Sequence, residues 1–241
     1  MARDDAPWKP SNLAKAAKVA GAFERVTTKP MRKVATLGFP YRKPTVPKGQ
    51  VVPKEPKNIG IDYDTDWART KPAQVVRSAV TDGPLRLGVK AVASPAVHGI
   101  DRLADLARLD DPPAVVFAPN HHSHLDTLMM SVVVPEPWRS KMVVAAAADY
   151  FFDNRVKGAA AALTLNAIPI DREATGRKSS DMIRSIIDDG WSLVIYPEGG
   201  RSPDGWGQEF KGGAAYLAIR TGAAVAPVFI DGTGAIYGKG M

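Results

Sequence analysis

Three of the four histidines in this 241-residue chain fall within four positions, in Asn120-His121-His122-Ser123-His124-Leu125-Asp126. Imidazoles beside a carboxylate suit two kinds of chemistry. They can ligate a metal, or one ring can carry a proton while the carboxylate fixes its tautomer. Spacing sorts the candidates. His122 and Asp126 stand four apart and would share a helical face. His121 and Asp126 stand five apart, about 140° round a helix and on opposite faces of a strand. They meet only if His121 lies in a turn and Asp126 in the first turn of a helix. A second constellation follows in Tyr196-Pro197-Glu198-Gly199-Gly200-Arg201-Ser202. Two glycines let backbone approach a ligand, and Arg201 offers a planar fork suited to phosphate. Asp171-Arg172 closes a third apolar run.

Such side chains need a frame, and the pattern supplies one. Ala114–Ala118 is short, Val/Phe-rich and bounded by prolines, so it predicts a buried strand. Asp126–Val134 predicts a buried helix, and the Pro119-Asn120 step a turn between them. Lys141–Ala145 reads as the next strand, Asp149–Ala162 as a helix and Asn166–Arg172 as strand-like. Asp181–Asp188 is helical, the stretch from Trp191 is a strand running into the glycine turn, Gln208–Thr221 is a helix, and Ala223–Ile230 is a last strand. Strands alternating with helices predict an α/β fold: a mixed β-sheet flanked by helices, with polar strand ends on one edge. That edge is where open α/β sheets hold ligands.

Asn120-His121-x-Ser123-x-x-Asp126 resembles the N-H-x-S-x-x-D block of the glycerolipid acyltransferases, the 1-acylglycerol-3-phosphate type. Tyr196–Ser202 resembles that family's F-P-E-G-T-R-S block, with Tyr196 and Gly200 as departures. Ile168-Pro169-Ile170-Asp171-Arg172 is similar to G-x-I-F-I-D-R, and Val225-Ala226-Pro227-Val228 to I-V-P-V. The four blocks occur in the family's order across residues 120–228. The resemblance implies His121 and Asp126 as catalytic pair, with Asn120 and Ser123 in support. It assigns Arg172, Glu198, Gly199 and Arg201 to the phosphate of an acceptor. It further implies transfer of a fatty acyl group from acyl-CoA or acyl carrier protein to a lysophospholipid hydroxyl, most plainly that of 1-acylglycerol-3-phosphate, with no cofactor and no metal. Family members continue through one more basic loop and strand, so a shortened member or a C-terminal truncation is expected. His122-x-His124-x-Asp126 also resembles the opening of the metallo-β-lactamase zinc motif. Thr127 stands where that motif has its next His, and no His follows His124. A metal-dependent hydrolase on that cluster is one alternative, and a membrane-surface binding protein without activity is another.

Composition narrows the remaining classes. With no Cys, thiolate catalysis, disulfides and Cys-based zinc sites drop out. There is no G-x-S-x-G nucleophile elbow, no P-loop and no G-x-G-x-x-G after a strand. The apolar runs Met142–Ala148 and Gly158–Ile170 are too short to span a membrane, and no signal peptide is evident. Charge is uneven: residues 1–72 hold 15 Lys/Arg against 7 Asp/Glu, and residues 73–241 hold 17 against 18. The expected division is a basic, Pro-rich N-terminal arm over 1–72, with an amphipathic helix near Asn12–Val26, and an acyltransferase domain over 73–241. Six prolines between residues 29 and 58 preclude regular helix there. Such an arm suits an anionic membrane surface, and no nucleic-acid signature accompanies it. Trp67–Ala93 reads as two helical pieces broken at Gly83-Pro84. Lone His98 reads as structural. The expected location is cytoplasmic, peripheral on the cytoplasmic face of a membrane.

Overall fold

The computed structural model describes residues 60–171, 177–203 and 207–238. The chain divides into two units, Met1–Pro56 and Lys57–Met241. The expected amphipathic helix at 12–26, the Pro-rich segment at 29–58 and Arg172 lie outside the described residues. The boundary expected after residue 72 falls inside the second unit. Thr65 and Ala68 are already buried there, and Gly60 N donates to Phe152 O.

Helices α1 (Lys71–Val80) and α2 (Arg86–Val92) are two arms of one kinked helix. Between them Gly83 takes a non-helical conformation, φ −94° and ψ −105°. Pro84 lacks an N–H and crowds the residue before it, so the expected break falls at Gly83-Pro84. A short helix, α3 (Ala104–Ala107), leads into strand β1 (Val115–Pro119). Then come α4 (His124–Val133), β2 (Met142–Ala147), α5 (Ala148–Phe151), α6 (Arg155–Leu165) and β3 (Ala167–Ile170). The helix expected over Asp149–Ala162 is thus two helices. Phe152 is fully buried between them, and Asn154 Oδ1 caps the second by accepting from Lys157 N at 2.9 Å. The chain continues through α7 (Arg177–Asp188), β4 (Ser192–Val194), α8 (Gly213–Thr221), β5 (Ala224–Val228) and α9 (Thr233–Tyr237).

The sheet runs β3-β2-β4-β1-β5. The α/β frame is the expected one, and every strand pairing among the described residues is parallel. Successive side chains alternate between two cores, as the period of two requires. Val116, Val143 and Leu193 meet Ile183, Ile186 and Ile187 of α7 and Leu217 of α8 on one face. Val115, Phe117, Val144 and Val194 meet Met130, Val134 and Trp138 on the other. Burying each such side chain contributes about 1.5–3 kcal/mol. No described helix is long and apolar enough to cross a membrane.

Parallel pairing puts all carboxyl ends of the strands on one edge. The helix after β1 packs on one face, through Met130 of α4, while the helix after β4 packs on the other, through Leu217 of α8. β1 and β4 are neighbours. Two adjacent strands whose chains leave to opposite faces open a crevice between their ends, where doubly wound sheets bind ligands.

Candidate active site

The loop after β1 carries the histidines into that crevice. Ser123, in extended conformation, is the N-cap of α4: its Oγ accepts from Leu125 N at 3.0 Å. Asp126, three residues on, completes the reciprocal arrangement by accepting from Ser123 N at 2.8 Å. That cap leaves His121 in the turn and Asp126 in the first helical turn. His121 Nδ1 lies 3.0 Å from Asp126 Oδ2. His122 N donates to the same oxygen at 2.7 Å. The five-residue spacing closes as expected, and only through the backbone of the cap.

Asp126 is fully buried. Burial alone would push its pKa up, but hydrogen bonds from His121 and the backbone of Ser123 and His122 outweigh it and hold the carboxyl below its usual range. The buried Thr233 hydroxyl of α9 lies close as well, although neither it nor Asp126 Oδ1 reaches hydrogen-bonding geometry. An ionised carboxylate can only accept, so His121 Nδ1 must carry the proton. The lone pair on Nε2 is then free on the ring edge away from Asp126. His121 lines the cleft and its side chain is 13% exposed. This is the geometry of a general base.

The supporting residues fix that geometry from three sides. Asn120 clamps the end of β1 to the segment after β5: Nδ2 donates to Ile230 O at 2.8 Å, and Oδ1 accepts from Ile230 N at 2.6 Å. Ser123 Oγ donates to Tyr237 O at 2.6 Å, tying the cap to α9. Glu198 departs from its expected place at the acceptor phosphate. Its buried side chain turns onto the histidine backbone instead, accepting from His121 N at 2.8 Å. Ser202 N donates to His121 O at 2.8 Å, so the 196–202 loop grips the histidine backbone at both ends.

Gly199 is left-handed, φ +69°, a conformation that needs glycine. A Cβ there would fall 3.0 Å from Lys211 Nζ, so Lys211 lies flat across the turn. Sequence reading missed Lys211, ten residues past Arg201 with no spacing to mark it, in a stretch expected to be helical. Gly199, Gly200 and Arg201 line the cleft together with His121, His124 and Tyr196. Ala145, Ala146 and Ala147 form an apolar wall with Phe151 and Ile170.

The other histidines do different work. His124 stacks on Tyr150 at 5.5 Å between centroids, and Lys157 Nζ sits 3.9 Å from the Tyr150 ring centroid. Burial, then the nearby Arg201 cation and His121, pull the His124 pKa down to about 4, so it stays neutral near pH 7. His122 Nε2 lies 3.5 Å from Asn120 Nδ2, away from the Asp126 carboxylate. Among the described residues no three His, Asp or Glu side chains converge as a metal-binding group. The zinc alternative needs His122 and His124 beside Asp126, and both rings turn elsewhere. His98 is exposed and outside this cleft.

Comparison with known proteins gives the family. The model of the Acyltransferase family matches residues 95–231. A curated relative from Arabidopsis thaliana, the chloroplastic 1-acyl-sn-glycerol-3-phosphate acyltransferase LPAT1, is 31% identical over 145 residues, covering 58% of this chain and 38% of the relative. A 1-acyl-sn-glycerol-3-phosphate acyltransferase from Limnanthes alba is 34% identical over 76 residues, 30% of this chain and 27% of that protein. The chain therefore spans well under half the length of these relatives. The crystal structure of the 1-acyl-sn-glycerophosphate (LPA) acyltransferase PlsC from Thermotoga maritima aligns with a TM-score of 0.48 at 21% identity, over 74% of this chain and 66% of that one. The matched span runs from before β1 to the clamp residues after β5, and with it the chain belongs to the Acyltransferase family.

Proposed function

We propose that this chain moves a fatty acyl group from an acyl thioester, on CoA or acyl carrier protein, to the hydroxyl of a lysophospholipid. The acceptor is 1-acylglycerol-3-phosphate and the product phosphatidic acid. The observation that carries this reading is His121 Nδ1 at 3.0 Å from Asp126 Oδ2, with the opposite ring edge free. His121 Nε2 takes the proton from the acceptor hydroxyl as its oxygen attacks the thioester carbonyl. The tetrahedral intermediate then expels the thiolate, which recovers the proton from the imidazolium. The ester bond forms, the thioester breaks and His121 returns neutral. Because a thioester is already activated, the step needs no enzyme nucleophile, metal or other cofactor. The relatives' names support the acceptor. Thiol release from acyl-CoA in the presence of a panel of lyso-lipids tests it. Release driven by lysophosphatidate bears the reading out; no release with any acceptor, despite lipid binding, would leave a surface-binding protein.

Arg201, on the cleft wall beside His124, meets the acceptor phosphate with Arg172. Arg201→Ala is expected to raise KM for lysophosphatidate about tenfold or more, since a charge-assisted hydrogen bond is worth roughly 1.5–3 kcal/mol. Arg201→Lys should rescue only partly, because an ammonium lacks the two-pronged geometry. Steady-state kinetics against acceptor concentration check this, and an unchanged KM in both variants removes Arg201 from the site.

The acceptor lies in a bilayer, so the enzyme works from the surface, on the cytoplasmic face. The basic segment Lys29–Lys57 binds the anionic headgroups at about 1 kcal/mol per Lys or Arg. Exposed Val75, Val76 and Leu87 on the kinked helix add apolar contact. Deleting residues 1–56, which leaves the second unit whole, should weaken flotation with anionic liposomes. Raised salt should do the same to the intact chain. Undiminished flotation of the truncated form would reduce the arm to a linker.

A further inference from the structure

Tyr196 is one of the two departures within the 196–202 block, and its ring covers a face of the catalytic imidazole. The His121 and Tyr196 centroids are 3.9 Å apart with planes inclined by 25°. The tyrosine is held there from its far end: its hydroxyl pairs with Thr127 Oγ1 at 2.9 Å. Thr127 follows Asp126 on α4, so one helical turn anchors both the in-plane partner of His121 and the residue on its face. Burial raises the Tyr196 pKa above its usual value, so the ring remains a neutral phenol. The titratable and charged groups around His121 are Asp126 and His124 from α4, and Glu198 and Arg201 from the β4 loop.

When His121 takes the acceptor's proton, a cation forms in a largely enclosed position. Asp126 compensates that charge in the ring plane. An aromatic ring carries negative potential on its face, and a cation over that face is stabilised more strongly where water is excluded. We propose that Tyr196 is a positioning residue for acyl transfer, holding the His121 ring against Asp126 and stabilising the transient imidazolium through its π face. This rests on the acyl-transfer reading above. It goes further by assigning the hydroxyl and the ring separate tasks, the first anchoring and the second electrostatic.

A graded change of ring electronics at constant shape separates the two. With Tyr196→Phe as reference, one, two and three fluorines are placed on the ring by non-canonical amino-acid incorporation, and kcat, acceptor KM and the pH profile are measured for each. The expected result is a stepwise fall in kcat reaching roughly fivefold to tenfold with three fluorines, at constant KM. The acid limb of the profile should move to lower pH, because the protonated ring has lost a stabilising partner. Tyr196→Leu should lose about as much as the trifluorinated ring. Tyr196→Phe itself should lose about threefold against the unaltered chain, the stack being kept and the Thr127 anchor removed. A flat fluorine series in an active enzyme overturns the inference and leaves acyl transfer standing. An unaltered chain that transfers to no acceptor overturns both.

Discussion

Replacing His121 by alanine is expected to lower kcat for acyl transfer by about 10²–10⁴-fold, the usual worth of a positioned general base. The fold should survive. The His121 backbone contacts, N–H to Glu198 Oε1 and C=O from Ser202 N, do not involve the ring. His122→Ala and His124→Ala should cost much less. His122 offers Asp126 its backbone N–H rather than its ring, and His124 packs against Tyr150 and Phe151. Circular dichroism and melting curves establish that the three variants are folded, and thioester-release rates rank them. A ranking that puts His124→Ala lowest would move the base to the ring held near Arg201. The geometry disfavours that outcome, because among the described residues no carboxylate pairs with the His124 ring, which stacks on Tyr150.

Much of the frame was written in local patterns. β1, β2, β4 and β5 are short β-rich runs, and their punctuation by Pro113, Pro119, Gly190 and Gly222 is visible without coordinates. The break at Gly83-Pro84 is legible because proline forbids the continuing hydrogen bond. The His121–Asp126 contact was legible as a condition, since a five-residue spacing works only across a helix cap. Ser123 supplies that cap. What sequence could not reveal is which way a polar side chain turns once the strand ends are gathered. Glu198 sits in a block that suggests a ligand loop, yet its carboxylate goes to a backbone N–H 77 residues away in the chain. Thr127 reaches Tyr196 where the β1 and β4 connections meet at the sheet edge, a contact that depends on strand order, which periodicity does not encode. Lys211 folds back over Gly199 within the β4 connection itself, a turn that no repeat marks. The helix expected to start at Gln208 starts at Gly213 for a related reason: Lys211 N donates to Pro197 O at 2.8 Å, which keeps that stretch on the loop.

Asp126→Asn is the second large effect, and the hydrogen bonds decide its cause. His121 Nδ1, His122 N and Ser123 N all converge on Asp126 Oδ2. Two of those donors are backbone and cannot turn away. The amide oxygen of an asparagine must therefore take the Oδ2 position, and its NH₂ the place of Oδ1, on the side of the Thr233 hydroxyl. The imidazole keeps its tautomer, and only the negative charge is lost. With no carboxylate to match the imidazolium, kcat should fall about 10²-fold or more. Asp126→Ala should be worse, since it also strands two backbone donors at about 1–3 kcal/mol each. If Asn costs little while Ala costs much, tautomer control rather than charge is the carboxylate's contribution. Stability carries an independent sign. The Asp126 pKa is lowered in the folded protein, so its ionisation adds stability above the usual carboxylate range, and that contribution is lost as pH falls through the lowered value. Asparagine has no such proton to bind. The stability gap between the parent chain and Asp126→Asn, measured by urea unfolding, should therefore narrow as the solution is acidified. A gap that stays constant or widens in acid would mean that the carboxylate is not held ionised by its three donors.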